Sequence, residues 1–303
     1  MQLRERGVAL ISALLVVALA TTAAVALTAD MQVTLRRSAN LFTRDQAWQY
    51  LQGVEAFGEI LLAEAIKHDK LDLLLGEERA LPVDGGVVTG KVTDMTSAIN
   101  LNNLRDPDHS EIALARIREL FNNLGVEPGH LDAIIDWLDK DNEVTGTDGA
   151  EDNYYSGLEK PYRVANREFS SLTELYLVRD MKPEVVDKLL QVKGEEGAAL
   201  EVVTVLPEAT PVNINTANRV VLDSLELDAD AVNTIVENRP YKSMDELKAL
   251  IPEKKRADLD VKSAYFQLET SAQIGRARLR AYSIIHRDEK GVMRVVARSL
   301  GTR

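Results

Sequence analysis

Cysteine is absent from the 303 residues of this chain. Without thiols, disulfides cannot hold the fold together and thiol chemistry is excluded, so stability must come from packing or from a bound ion. The 4 histidines are scattered along the sequence, and no nucleophile elbow or zinc-protease motif lies beside any of them. These absences favour a protein that is not an enzyme.

Basic residues are also scarce. Lys and Arg number 36 against 48 Asp and Glu, which gives a net charge of -12 and a pI near 5.0. The field of such a molecule repels phosphate backbones, so we expect no nucleic acid among its partners. At roughly 150 residues per domain, the length indicates about two domains.

A long apolar run follows the first few residues. Residues 8–29 carry no charge, and about 20 apolar residues suffice to span a bilayer. Arg4 and Arg6 precede the run and predict a cytoplasmic N-terminus. A removable signal peptide cut near Ala24–Ala26 is one interpretation, but helical spacing of apolar residues continues well past that site. A plain single-pass anchor is the second interpretation.

The third interpretation depends on Gly7. A short polar leader that ends in glycine and runs directly into a long apolar helix resembles the leader of type IV prepilins and pseudopilins. The resemblance implies that a dedicated peptidase cleaves between Gly7 and Val8 and that Val8 becomes the methylated mature N-terminus. Most pilins of this pattern carry glutamate as the fifth mature residue, where this chain has Ser12. The K-type minor pseudopilin of type II secretion, which sits at the fibre tip, is similar in lacking that glutamate.

The rest of the chain predicts an α+β fold. Apolar spacing favours one helix to about His68, which ends before a loop around Pro82, and β-branched residues predict a strand over 87–95. Three more strands are expected near the C-terminus, at 265–274, 278–286 and 292–300. A pilin-like long N-terminal helix plus a small antiparallel sheet, with a large all-helical domain inserted, again resembles the K-type subunit. The expected parts are the leader (1–7), the transmembrane part of the stem (8–29), the rest of the stem with the first strands (30–98), the inserted helical domain (99–262) and the C-terminal strands (263–303).

A weak internal repeat lies in the expected insertion. The segment Ile99–Asn102 is similar to Val212–Asn215, and its asparagines are expected to act as helix caps. The stretch after the second copy resembles the helix-hairpin-helix of competence-type DNA receptors. Its hairpin, Leu225–Asp230, has no glycine and three acidic residues, which would repel a phosphate. A membrane-anchored DNA-binding receptor of this kind is the alternative function.

Acidic residues crowd the segment 136–152. It holds seven carboxylates and a single lysine. Asp139 and Asp141 are expected at a helix C-terminus, where unpaired carbonyls already make the potential negative. A cation would relieve both effects, and oxygen ligands without His or Cys indicate calcium. An EF-hand loop that begins at Asp141 is a partial match only, because Glu143 and Asp152 depart from the pattern. A solvated acidic loop is the alternative.

The acidic segment also resembles a motif of K-type pseudopilins. That family carries Asp-Trp-x-Asp-x-Asp followed by Gly-Ala-Glu-Asp, and it binds calcium in its inserted domain. The resemblance implies the following calcium ligands: Asp139, Asp141, Glu151 and Asp152, with Asp136 as a weaker candidate.

Together, the leader, the missing glutamate and the acidic motif resemble minor pseudopilin K of the bacterial type II secretion system. The resemblance implies a single-pass inner-membrane protein with its globular part in the periplasm, which initiates and caps the pseudopilus at the tip. The partners it implies are the I- and J-type minor pseudopilins, the major pseudopilin and the prepilin peptidase.

Overall fold

The computed structural model describes residues 2–105, 110–194 and 197–301, with side chains described from residue 13 onward. The predicted cleavage position at Gly7 and Val8, and Ser12, therefore lie before the part whose side chains are described. The α-helices are α1 (Gln2–Lys67), α2 (Ser110–Leu124), α3 (His130–Leu138), α4 (Asp152–Ser156), α5 (Pro183–Leu190), α6 (Arg219–Asp223), α7 (Ala229–Glu237) and α8 (Glu253–Arg256). The strands are β1 (Arg79–Val83), β2 (Gly86–Asp94), β3 (Ile99–Asn100), β4 (Val192–Lys193), β5 (Ala199–Leu200), β6 (Val203–Thr204), β7 (Val212–Asn213), β8 (Leu259–Asp260), β9 (Tyr265–Ile274), β10 (Ala277–Arg287) and β11 (Met293–Leu300). Short 3-10 helices occupy Leu71–Leu73, Met95–Ser97, Leu101–Arg105, Leu172–Leu177 and Met244–Leu247.

One continuous helix, α1, forms the stem. It is 66 residues long, and among the described residues it alone contains a window long and apolar enough to cross a membrane. Residues 13–42 are exposed, and full burial begins at Ala47. Gly58 faces the sheet, where an added Cβ would lie 2.7 Å from Leu268 Cδ2. Glycine at this position therefore lets the stem lie close to the sheet.

A five-stranded antiparallel sheet packs on the last turns of α1. The strand order is β1-β2-β9-β10-β11. Leu51 of α1 is buried with Val88, and Leu62 of α1 is buried with Phe266. The predicted α+β class, a pilin-like stem helix with a small sheet, is confirmed. The predicted loop around Pro82 is wrong, because Pro82 lies in the edge strand β1, where a residue without an N–H is tolerated.

The sheet is interrupted in sequence between β2 and β9. These two strands pair with each other, and most of the buried hydrophobic residues between them form a separate hydrophobic core. At the end of β2, the buried Asp94 carboxylate accepts hydrogen bonds from Asn213 Nδ2 and from the hydroxyls of Thr216 and Ser263. Asp94 therefore ties the start of the inserted region to its middle and its end. Besides the expected helices, the described part of the insertion contains the short strand pairs β3–β6, β4–β5 and β7–β8.

Two units with the same plan make up most of the inserted region. The first unit runs from β3 to β6 and the second from β7 to β8, and in each the first and last strands pair in parallel. Asn102 of the first unit exchanges two hydrogen bonds with the backbone of Phe169, at 3.0 and 2.9 Å. Asn215 of the second unit does the same with Tyr241, at 2.8 Å in both bonds. The weak sequence repeat therefore corresponds to a structural repeat.

Asn100 acts as the expected helix cap, because its Oδ1 accepts a hydrogen bond from Asn102 N at 3.1 Å at the start of the 3-10 helix Leu101–Arg105. For Asn102 and Asn215 the expected role as helix caps is wrong. The amides of Asn102 and Asn215 bind distant backbone instead, because an amide offers a donor and an acceptor that together match both groups of one peptide residue. The cap in this stretch is Asn218, whose side chain accepts a hydrogen bond from Val221 N at 3.1 Å and so begins α6.

Candidate metal centre

Helix α3 carries the first carboxylate of the acidic segment into the interior. Its apolar face, with Leu131 and Ile134, is buried in the core of the inserted region. Trp137 packs edge-on against Tyr155, with the ring centroids 5.4 Å apart. Between these anchors, Asp136 is 0% exposed. The amphipathic pattern of α3 therefore buries a carboxylate that would otherwise be solvated.

Three carboxylates meet at the C-terminal end of α3. One oxygen each from Asp136, Asp139 and Glu151 lies within 4.8 Å of the other two, and Glu151 is 3% exposed. Asp136 Oδ2, Asp139 Oδ1 and both carboxylate oxygens of Glu151 are buried, and in the described part of the chain none of them has a hydrogen-bond partner. Buried carboxylate oxygens without a partner are costly, so the cluster requires either protons or a cation.

The proton affinity of the cluster reflects this cost. Burial raises the pKa of Asp139 from 3.8 to about 6, and the charges of Asp141 and Asp136 add to the effect. Burial likewise raises the pKa of Glu151 from 4.5 to about 7, together with the neighbouring carboxylates, of which Asp136 contributes most. A divalent cation at this position would stabilise the ionised carboxylates and lower both pKa values.

The donor set fits calcium. All three side chains offer hard oxygen atoms, which Ca²⁺ prefers, and none offers nitrogen or sulfur. Thr145 N donates to Asp136 Oδ1 at 3.0 Å, which leaves Oδ2 free for an ion. Gly149 lies directly against this carboxylate, since a Cβ at Gly149 would be 2.3 Å from Asp136 Oδ2.

Two of the five expected ligands lie beside the cluster. Asp141 Oδ1 accepts a hydrogen bond from Glu143 N at 2.8 Å, and Asp152 Oδ1 accepts one from Val164 N at 3.1 Å. Neither belongs to the group of three, which instead contains the candidate ranked lowest by the motif. Both still raise the pKa of Glu151 through their charge. An EF-hand loop beginning at Asp141 does not describe this cluster, because two of the three carboxylates precede it.

Two residues outside the acidic segment also bind its loop. Arg179 Nη1 donates to Gly149 O at 2.8 Å, and Asn166 Nδ2 donates to Asp141 O at 3.0 Å. Asn166 Oδ1 is buried, and among the described residues it has no hydrogen-bond partner. No local sequence pattern marks either residue, because each comes from a segment that folds back onto the loop.

The hairpin between α6 and α7 bears on the DNA-receptor alternative. Glu226, Asp228 and Asp230 lie in or beside this hairpin, and carboxylates there repel a phosphate backbone. Glu226 adopts a φ of 55°, a backbone conformation in which glycine is usual. The connection therefore joins two helices as a DNA-binding hairpin does, but it carries acidic residues and no glycine.

Comparisons with known proteins agree with one another. A family model described as "Type II secretion system (T2SS), protein K" matches residues 97–192. The type II secretion system protein K of Aeromonas hydrophila is 33% identical over 326 residues, which cover 96% of this chain and 96% of that protein. The type II secretion system protein K of Pseudomonas aeruginosa is 33% identical over 323 residues, which cover 98% of this chain and 93% of that protein.

A solved structure shares the fold. It is described as the GspK-GspI-GspJ complex from the type 2 secretion system of enterotoxigenic Escherichia coli. The similar chain has a TM-score of 0.74 and 22% sequence identity, and the match covers 88% of this chain and 100% of that chain.

Proposed function

This chain belongs to the family of type II secretion system protein K, a minor pseudopilin, and from that premise we propose that it initiates the pseudopilus and caps its tip. The observation that carries the proposal is an exposed apolar stem joined to a sheet that a large folded region interrupts. Burial of apolar stems against one another drives assembly. The bulk of the insertion, together with Ser12 in place of the pilin glutamate, disfavours the addition of a further subunit above.

The proposal includes membrane insertion and processing of the N-terminus. The peptidase removes residues 1–7 by cleavage between Gly7 and Val8, and Val8 is methylated. The apolar stem, whose residues 13–42 are exposed, then anchors the chain in the inner membrane. The sheet and the insertion lie in the periplasm, which agrees with the basic residues that precede the stem.

The family also indicates the partners. The solved structure with the same fold is described as a complex of GspK with GspI and GspJ. We therefore propose that this chain joins the I- and J-type minor pseudopilins through its stem and that the major pseudopilin extends the fibre below them. The family is a structural component of the secretion machine, and the proposed role requires no catalysis.

The proposal assigns calcium to the metal centre. Asp136, Asp139 and Glu151 supply the first ligands, and the ion stabilises the loop that joins α3 to α4. Support comes from four of their oxygens, Asp136 Oδ2, Asp139 Oδ1 and both carboxylate oxygens of Glu151, which are buried and have no hydrogen-bond partner among the described residues. Because the ion binds the folded state, binding adds directly to the stability of the inserted region.

Fibre formation tests the tip role. When the major pseudopilin is overproduced, cells without this chain should form fewer fibres, because initiation is lost, and longer ones, because the cap is lost. Electron microscopy of sheared fibres measures both quantities, and complementation with the intact gene is the control. Unchanged fibre number and length would contradict the proposal.

Mass spectrometry of the N-terminus tests processing. Coexpression with a prepilin peptidase should give a mature chain that begins at methylated Val8. A start at Leu27 would make the chain a released periplasmic protein, and an intact Met1 would leave a plain membrane anchor.

A further inference from the structure

We propose that Arg179 is a positioning residue for the metal centre, which holds the turn Thr145–Gly149 against Asp136 so that the carboxylates are arranged before an ion binds. The inference rests on the proposed function for its consequence, calcium affinity. Its structural content, the fixed turn, applies to the ion-free protein as well.

Arg179 contacts the chain both before and after the proposed ligand Glu151. Before Glu151 in sequence, the Arg179 Nη1 donates to Gly149 O at 2.8 Å. After it, the guanidinium carbon lies 5.1 Å from the centroid of the Tyr154 ring, a cation–π distance, and Arg179 N donates to the Tyr155 hydroxyl at 3.1 Å. One residue thus contacts a backbone carbonyl before the proposed ligand Glu151 and two tyrosine side chains after it.

The turn Thr145–Gly149 connects Arg179 to a second proposed ligand, Asp136. Gly149 N donates to Thr145 O at 3.1 Å, which closes the turn. Thr145 N donates to Asp136 Oδ1 at 3.0 Å. The chain of contacts therefore runs from Arg179 through the turn to Asp136, and it selects the Asp136 oxygen that remains free for an ion.

Gly149 packs so closely against Asp136 that there is no room for a side chain at this position. A Cβ on Gly149 would lie 2.3 Å from Asp136 Oδ2 and 2.3 Å from Thr145 O. The turn is therefore in contact with the carboxylate, and a small displacement of the turn would move Asp136 relative to Asp139 and Glu151.

A purely structural role for Arg179 is the competing interpretation. Arg179 Nε lies 3.3 Å from Asp180 Oδ2, and this ion pair is partly exposed, with side chains 27% and 55% accessible. Partly exposed pairs contribute little to stability, about 0–1 kcal/mol. If this pair were the main role, replacing Arg179 would change thermal stability slightly and leave ion affinity unchanged.

Three variants of the full-length, detergent-solubilised chain separate these roles. Arg179→Met removes the donor, and Arg179→Lys keeps the charge and one donor. Arg167→Met is the matched control, because Arg167 binds Ser170 and Glu174 in the same unit. Titration calorimetry with Ca²⁺ measures affinity, and calcium-free hydrogen exchange measures protection of the amides of Thr145 and Gly149.

We expect Arg179→Met to weaken calcium binding by about 10-fold or more, the usual effect of removing a group that orients metal ligands. In the calcium-free protein it should reduce protection of both amides. Arg179→Lys should restore part of each property, and Arg167→Met should change neither.

Unchanged amide protection in calcium-free Arg179→Met would overturn the inference. So would calcium affinity equal to that of the unmodified chain when only the melting temperature falls. If the unmodified chain binds no calcium, the proposed calcium role fails, while the hydrogen-exchange comparison still decides whether Arg179 positions the turn.

Discussion

The two units of the inserted region share a plan and differ most in the segment after their second helix. In the second unit, only the short connection 238–240 separates α7 from Tyr241, the residue whose backbone Asn215 binds. In the first unit, residues 139–168 lie between α3 and Phe169, the residue whose backbone Asn102 binds, and they hold two of the three clustered carboxylates.

The two units also differ in the interactions that hold them together. The second unit is closed by hydrogen bonds alone, between Asn215 and Tyr241 and from Asn215 to Val261 O. We call Asn215, and Asn102 in the first unit, the clamps. The first unit has the equivalent hydrogen bonds through Asn102, and it adds a loop beside which four buried carboxylate oxygens lack hydrogen-bond partners among the described residues. We therefore expect the added loop, and not the hydrogen bonds that the two units share, to need an ion.

Removal of either clamp should have the largest effect on the free energy of unfolding. Asn102→Ala and Asn215→Ala should each lower the free energy of unfolding by about 3 kcal/mol, because each leaves a buried N–H and buried carbonyls without their partner. Urea unfolding followed by circular dichroism measures the change. Asn238→Ala, at an exposed position, is the control and should stay within about 0.5 kcal/mol. A large effect at only one of the two clamps would break the equivalence of the units.

Calcium withdrawal should affect the first unit alone. At a calcium concentration about 100 times the dissociation constant, the ion contributes about 2.7 kcal/mol, which EDTA should remove. Asp136→Asn should abolish the calcium-dependent rise in melting temperature. Asp230→Asn, in the hairpin of the second unit, should retain it. Identical melting curves in EDTA and in calcium would exclude the calcium role.

The pH dependence should distinguish the calcium-free chain from the calcium-bound one. The folded pKa values of Asp139 and Glu151, about 6 and about 7, lie above their ordinary values of 3.8 and 4.5. The folded state therefore holds protons that the unfolded state releases, and calcium-free stability falls as the pH rises from about 4 to about 7. Because calcium binds the ionised carboxylates, the stabilisation it adds should increase over the same range.

Thermal melts at pH 5 and pH 8, with and without calcium, measure these opposite trends. Asp139→Asn should reduce both of them. Calcium-free stability that rises over this range would show that the carboxylates are ionised in the folded chain without an ion.

The smallest expected effect separates the two kinds of acidic residue within the loop. Asp141→Asn removes only a nearby charge, because one Asp141 oxygen already binds Glu143 N. Its calcium dissociation constant should rise about threefold, against more than about tenfold for Asp139→Asn. Equal effects in calorimetry would make Asp141 a ligand.

Much of the fold could be predicted because its signals are local. The charge-free run and its helical continuation indicate the stem, and β-branched residues indicate β2. The strand at Pro82 could not be predicted in this way, because proline usually breaks a strand and only its position at the sheet edge permits it.

The carboxylate cluster was predictable in place but not in detail. The density of carboxylates after an amphipathic helix indicates a cation site near Asp139 and Glu151. The sequence does not indicate that Asp136 turns inward while Asp141 and Asp152 bind backbone N–H groups. That division depends on where the loop meets residues later in the chain.

The sequence by itself determined the stem, four of the five strands of the main sheet, the helical character of the insertion and the acidic segment, because spacing and side-chain type act over a few residues. Only the tertiary structure decided that Asn102 and Asn215 are equivalent clamps, that Arg179 reaches Gly149, and which three carboxylates meet. These features join segments far apart in the chain, and they form only where packing of the helices brings a donor and an acceptor to the same place.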